Sequence, residues 1–314
     1  MMLEQADITI VIVNYNTPKF TIQCLDSIFS SPPVARCEIV VVDNASSDGS
    51  ADLLESMYDC IQLVRSSTNR GIAGGNNLGI RAGSGRYVLL LNNDTVVLPG
   101  MIDRAFEFLK MHPEVGGVGG NLMNPDGSFQ SGAWPFPSLG EEFLQLTRLG
   151  VLLRKNFPSY SPFQAPCAVD WMSTAFMLFR RDALEQVGLV DENFFIYSDE
   201  TDLEYRLLKA GWKLFYLPEI KTIHFGGKSL QPWRSRKLKY RGRLLFWRKH
   251  HHPLEEAVVR LMYVSASSLK LGFWSVIYLL PRYRIRASHE LRSQFDIFKL
   301  SIYPVLPPAQ LSQG

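Results

Sequence analysis

Ile8-Thr9-Ile10-Val11-Ile12-Val13 is an unbroken run of six β-branched residues. Such residues favour extended backbone. The lack of apolar and polar alternation marks a strand buried on both faces. Asn14-Tyr15-Asn16 follows it, and then Thr17-Pro18, a helix N-cap with proline at the first helical position. Leu25, Ile28 and Phe29 supply the buried stripe of that helix, which Pro32-Pro33 ends. Ile39 to Val42 is a second buried strand, followed by the polar turn Asp43 to Ser50. A helix from Ala51 to Met57, a strand at Ile61 to Val64 and another at Tyr87 to Leu91 continue the pattern. This β-α-β-α-β order predicts an α/β fold on a mostly parallel sheet with helices on both faces.

Downstream, Met101 to Met111 reads as helix and Val115 to Val118 as strand. Asn124 to Pro137 and Pro158 to Pro166 read as loops, with a helix from Glu141 to Leu153 between them. Ala175 to Phe179 is a strand, and Asp202 to Ala210 a helix capped by Gly211. Lys213 to Tyr216 returns to strand.

The 314 residues are 46% hydrophobic, enough for one α/β domain and an appendage. A net charge of +3 conceals a division. Residues 1–225 hold 17 Lys and Arg against 26 Asp and Glu, whereas residues 226–314 hold 16 against 4. The boundary is placed at residues 230 and 231, giving a 1–230 domain and a 231–314 helical, basic C-terminal extension. Arg234 to Lys249 carries eight basic residues and no acidic one. Val258 to Leu280 is then largely apolar but interrupted by Arg260 and Lys270, and its cleanest piece, Leu271 to Leu280, is too short to span a bilayer. Apolar helix with flanking cations and aromatics is the pattern of a segment lying in the membrane interface. A basic tail also suits nucleic acid, but the apolar segment favours a membrane surface, and no nucleic-acid partner is expected. Cys24, Cys37, Cys60 and Cys167 form no C-x-x-C pair, and Met1 to Asp7 lacks a signal-peptide pattern. The expected location is cytoplasmic, peripheral to the membrane.

Five polar constellations carry the chemistry. Asn14 to Asn16 and Asp43 to Ser50 sit at the carboxyl ends of strands, where open parallel sheets bind ligands. Asn69 to Asn77 holds three glycines in five residues, suited to close backbone approach to a ligand or to a flexible turn. Leu91-Asn92-Asn93-Asp94-Thr95 places one carboxylate at the tip of a strand, and one suffices for a metal whose shell is completed by a diphosphate and water. Ser198-Asp199-Glu200-Thr201-Asp202 packs three carboxylates before a helix, more than capping requires, and their mutual repulsion poises one as a base. His224 precedes Phe225-Gly226-Gly227-Lys228-Ser229; its imidazole suits a divalent metal, and Lys228 among glycines a phosphate.

In this order the pieces resemble the family-2 glycosyltransferases of GT-A fold, nearest to bacterial rhamnosyltransferase-like members. The matching stretches are Val11 to Asn16, Val41 to Ser50, Asn69 to Asn77, Leu91 to Thr95, Asp170-Trp171, Phe194 to Leu203 and His224 to Ser229. Tyr240 to His251 is similar to the family's post-catalytic helix. The resemblance implies an inverting, metal-dependent transferase that uses a nucleotide-diphosphate sugar, dTDP-rhamnose or a UDP-sugar, in cell-surface polysaccharide synthesis. The acceptor would be a glycan or lipid-linked glycan at the inner membrane surface. By position, Asn14, Asn16 and Asp43 would cradle base and ribose, and Arg70, Asn76 and Asn93 would line the nucleotide-sugar pocket. Trp171 would line the sugar or acceptor pocket. Asp94 and His224 would hold Mg²⁺ or Mn²⁺, and Glu200 or Asp199 would be the base. The chain departs from the family in three places: Asn occupies 92 and 93, the acidic pair runs Asp-Glu, and Thr174 stands where a glycine is expected. A sugar-phosphate nucleotidyltransferase would need a basic Gly-rich loop after the first strand, which Tyr15 to Thr17 does not supply. A non-catalytic sugar-nucleotide binding protein at the membrane would have no use for the acidic cluster.

Overall fold

The computed structural model describes residues 6–147, 149, 164–226 and 232–303. The strands are β1 (Ile8–Asn14), β2 (Cys37–Asp43), β3 (Gln62–Arg65), β4 (Tyr87–Asn92), β5 (Thr95–Val97) and β6 (Val115–Met123). They continue with β7 (Phe129–Gln130), β8 (Ala133–Trp134), β9 (Cys167–Ala168), β10 (Trp171–Met172), β11 (Phe176–Arg180) and β12 (Lys213–His224). The helices are α1 (Pro18–Phe29), α2 (Ser50–Met57), α3 (Gly71–Ala82), α4 (Met101–Met111) and α5 (Leu139–Thr147). The remaining five are α6 (Arg181–Val187), α7 (Asp199–Lys209), α8 (Pro232–His250), α9 (Pro253–Tyr278) and α10 (Arg284–Ile302).

The described residues divide between two compact units. One lies within Met1–Phe136, Asn156–Phe195 and Asp199–Gly227, the other within Pro137–Lys155, Ile196–Ser198 and Lys228–Gly314. The first is built on a sheet ordered β3-β2-β1-β4-β11-β6-β12-β5. β1 pairs in parallel with β2 and β4, and β2 with β3, while β11 lies antiparallel between β4 and β6. Six of these eight strands run the same way, as the β-α-β order predicts.

Alternate residues of β1 serve different layers. Ile8, Ile10 and Ile12 pack with Leu25 and Ile28 of α1, Leu54 of α2 and Leu109 of α4. Val11 faces a second cluster with Ile80 of α3, Leu184 of α6 and Leu207 of α7. The sheet thus buries both faces, which is why its strands read as continuous apolar runs. β8, inside the Asn124 to Pro137 stretch read as loop, pairs with β10 in a separate two-stranded sheet.

In the second unit, Leu244, Trp247, Val259, Tyr263 and Ile297 form the core of α8, α9 and α10. Buried Glu142 of α5 accepts hydrogen bonds from Trp247 Nε1 (3.2 Å), Tyr263 Oη (2.6 Å) and Arg243 (3.3 Å). An unpaired buried charge is costly, so this set stands or falls together. The end of the helix expected at Glu141 to Leu153, most of the Pro158 to Pro166 loop, and Gly227, Lys228 and Ser229 lie outside the described residues.

Candidate active site

The carboxyl ends of β1, β2 and β4 stand side by side, with Asn14 opposite Asp43 and Val13 opposite Asn92. Asn14 is fully buried and acts as the hub. Its Nδ2 donates to Asp43 Oδ1 (2.9 Å) and Ser46 Oγ (3.1 Å), and its Oδ1 accepts from Thr21 Oγ1 (2.8 Å). Asn93 Nδ2 closes the relay onto Thr17 Oγ1 (2.7 Å) and Thr21 Oγ1 (2.9 Å). Thr17 stands at the helix start as expected but makes no side-chain capping bond, because its hydroxyl serves Asn93 instead. Asn16 adopts φ 53°, and its Oδ1 accepts the Ser47 amide (2.8 Å). Asp43 Oδ2 accepts the Ser46 amide (3.0 Å). Each carboxylate oxygen has two acceptor sites, so Asp43 retains capacity toward a ligand.

The glycine-rich stretch is helix, not loop. Gly71–Ala82 forms α3, and its glycines serve packing: a Cβ at Gly75 would lie 2.7 Å from Val13 Cγ1, and one at Gly79 would overlap Val11. Gly71, at φ 69°, passes against the carbonyl of Phe195. Arg70 pairs with Glu192 at 2.9 Å while remaining 40% exposed. Asn77 Nδ2 also donates to Glu192 (3.0 Å). Asn76 is buried within the helix.

Asp94 and His224 meet where β5 pairs antiparallel with β12. His224 Nε2 lies 3.3 Å from Asp94 Oδ1. On the other side of the ring, Nδ1 lies 2.6 Å from Gln130 Oε1. Gln130 Nε2 donates to Asn124 Oδ1 (3.0 Å) and the His224 carbonyl (3.3 Å), which fixes the amide's orientation. Oε1 can only accept, so Nδ1 carries the proton. Nε2 then turns its lone pair toward Asp94, with the Asn92 side-chain amide nitrogen also 3.4 Å away. A shared proton or a divalent cation satisfies that arrangement. Two ligands about 2.1 Å from one ion at right angles lie about 3.0 Å apart, close to the separation seen. Among the described residues no three His, Cys, Asp or Glu side chains gather into a metal site. The pair therefore suits an ion that arrives with its own oxygen ligands.

The acidic cluster opens α7. Asp199 is buried, and burial pushes its carboxyl well above the ordinary carboxylate range; the charge of Glu200 beside it and their hydrogen bond act the same way. Glu200 is partly exposed. Of the pair, Asp199 is the buried carboxyl with the raised tendency to keep a proton, and Glu200 the one open to solvent. Asp202 is fully buried but neutralised by Arg206 at 2.8 Å. One turn beyond Glu200, buried Glu204 accepts the Met172 amide (2.7 Å), and burial raises its carboxyl too. Next to Met172, Trp171 stacks on Trp134 with centroids 4.6 Å apart and donates to the Pro135 carbonyl (2.8 Å). Before α7, Phe195, Tyr197 and Ser198 all have φ near +64°, a left-handed backbone costly for such residues.

Thr17, Thr21, Gln130, Trp134, Glu192 and Glu204 join these groups without having stood out in the sequence. Thr17 signalled only a helix start. Glu204 carried a usable signal, four residues after Glu200 on the same helical face.

Residues 9–188 match the family model described as glycosyl transferase family 2. The chain is 31% identical over 204 residues to the N-acetylglucosaminyl-diphospho-decaprenol L-rhamnosyltransferase of Mycobacterium tuberculosis, covering 59% of this chain and 66% of that protein. The match thus spans just under two thirds of that relative. It is 27% identical to the low-salt glycan biosynthesis hexosyltransferase Agl10 of Haloferax volcanii, covering 87% and 85%. Among solved structures, the mannosyltransferase PcManGT of Pyrobaculum calidifontis, in complex with GDP-Man and Mn²⁺, superposes with a TM-score of 0.58 at 16% identity, covering 96% of this chain and 88% of that one. At that identity the likeness speaks to the fold alone.

Proposed function

On the premise that the chain belongs to glycosyl transferase family 2, we propose that it moves a sugar from a nucleotide diphosphate to the hydroxyl of a glycan or lipid-linked glycan, with inversion. Its architecture is of GT-A type. The observation that carries the reading is the Asp94–His224 pair, two acceptors 3.3 Å apart beside the Asn14–Asp43–Asn93 relay. Asn14 holds Asp43 in place, and Asp43 and Asn16 receive base and ribose. Arg70, Asn76 and Asn93 line the nucleotide-sugar pocket, and Trp171 the sugar or acceptor side.

Asp94 and His224 Nε2 are the groups that would hold Mg²⁺ or Mn²⁺, an ion that neutralises charge on a departing diphosphate. Glu200 takes the proton of the acceptor hydroxyl. That oxygen forms the new bond to the anomeric carbon as the carbon–diphosphate bond breaks on the opposite face and the diphosphate leaves with the electron pair. Asp199, holding its own proton, orients Glu200. The rhamnosyltransferase relative points to dTDP-rhamnose as the first donor to try, with UDP-sugars next. The enzyme works in cell-surface polysaccharide synthesis on the cytoplasmic side of the membrane, with residues 231–314 at its surface. Thermal-shift screening of nucleotide sugars with Mg²⁺ or Mn²⁺ tests the reading. The true donor raises the midpoint of the wild type and not of Asp94→Ala. A shift equal in both would overturn the metal assignment.

A further inference from the structure

The second unit carries a helix face left exposed among the described residues. One side of α9 is buried through Val259, Tyr263 and Ser267. Leu254, Leu261, Leu269, Phe273 and Val276 are exposed by 59–77%. At 100° per residue these five fall within roughly a third of the helix circumference, away from the buried side. The four charged residues of α9, Glu255, Glu256, Arg260 and Lys270, are all only partly exposed. Glu256 and Arg260 hold each other at 2.7 Å, and Glu255 pairs with His251 at 3.4 Å. The fully exposed positions of this 26-residue helix thus carry no charge. At 1.5 Å per residue the stripe from Leu254 to Val276 runs about 33 Å. Soluble surfaces rarely leave so long an apolar strip in water.

Where the stripe ends, the chemistry changes. Leu279, at 78% exposure, is followed by exposed Arg282, Arg284 and Arg286. Each guanidinium lies over a ring: Arg284 over Tyr278 (4.9 Å), Arg286 over Trp274 (5.7 Å) and Arg282 over Tyr283 (5.7 Å). Aromatic rings beside cations sit at the depth of lipid headgroups. Among the described residues no helix is long and apolar enough to cross a membrane.

We propose that the Leu254–Val276 face of α9 lies flat in the surface of an anionic phospholipid bilayer, with Arg282, Arg284 and Arg286 at its headgroups. The charge complementarity between the arginine collar and anionic headgroups selects lipid as the occupant. This names the face by which the enzyme meets the membrane, and it is read without sugar transfer, so it can fail independently of the catalytic reading.

The test is sedimentation of the full chain with phosphatidylcholine vesicles containing or lacking phosphatidylglycerol. Wild type is expected to bind the anionic vesicles, more weakly as salt rises from about 0.1 to 1 M. Leu261→Asp with Phe273→Asp is expected to weaken binding at least about tenfold, with unchanged circular dichroism and melting midpoint. If that variant misfolds, Leu261→Ser with Phe273→Ser is read the same way. Equal binding by wild type and variant overturns the proposal, as does no vesicle binding by wild type. A dimer that the variant dissociates, without vesicle binding, overturns it in favour of a second copy.

Discussion

His224 Nδ1 lies 2.6 Å from Gln130 Oε1, a contact between residues 94 positions apart that fixes which ring nitrogen faces Asp94. An imidazole can flip or rotate freely unless its second nitrogen is held, and the holder of such a ring commonly sets ligand affinity. Gln130→Leu should therefore weaken binding of Mn²⁺ with a nucleoside diphosphate by roughly 10–100-fold. Gln130→Glu keeps the acceptor for Nδ1 but loses the amide donor to Asn124 and the His224 carbonyl, so its affinity should fall between those of Gln130→Leu and wild type. Calorimetric titration of Mn²⁺ in the presence of UDP or dTDP measures both, and equal affinities would remove Gln130 from the account.

Asp199 and Glu200 are neighbours with different surroundings, and that difference assigns the base. Glu200→Gln should lower transfer by about 10²–10⁴-fold with donor affinity unchanged. Asp199→Asn replaces a group that already holds its proton, so it should leave more activity than Glu200→Gln. Steady-state kinetics on the two proteins decides. The reverse order would make Asp199 the base.

The same burial has a cost in stability. Asp199 and Glu204 both have carboxyls raised by burial. A raised group binds its proton in the folded chain after the unfolded chain has lost it. Its stabilising contribution is complete below the ordinary carboxylate value of about 4 and is lost as pH rises through the folded value. Glu204→Gln should remove that slope, so its urea midpoint should fall less than that of wild type between acid and neutral pH. Parallel slopes would show that Glu204 ionises without penalty.

Gly79 sits where α3 crosses β1. Alanine is better than glycine in a helix by about 1 kcal/mol. The added Cβ would overlap the stiff Val11 side chain, and overpacking costs about 1–3 kcal/mol. The clash should win, so Gly79→Ala should lower stability in urea unfolding. A more stable Gly79→Ala would mean that α3 moves freely on the sheet.

That helix also marks how far the sequence could be read. β1 and α4 were legible because each carries its own periodicity: Ile8 to Val13 as an unbroken buried run, Met101–Met111 as a stripe ended by Pro113. α3 was not, because Gly71, Gly74, Gly75 and Gly79 argue against helix on local propensity, and only the close approach to Val11 and Val13 favours it. β7 and β8, two residues each, lie below any periodic signal. In the site, the residues expected at strand ends, Asn14, Asp43, Asn93 and Asp94, do stand there. Of the supporting residues, Gln130 reaches His224 from 94 positions away and Trp134 reaches Trp171 from another strand, while Thr21, seven residues after Asn14, gave no sign of its own. Arg70 was expected to line the nucleotide-sugar pocket, and its pairing with Glu192 depends on a contact 122 residues away.

Sugar transfer with Glu200 as base is read from the transfer of labelled sugar to an extract of lipid-linked glycans. Wild type and Glu200→Gln are compared with each nucleotide sugar and Mn²⁺. The expected result is transfer from one donor by wild type, and loss of transfer but retained donor binding in Glu200→Gln. Undiminished transfer by Glu200→Gln, or no donor bound or used by wild type, would contradict the claim.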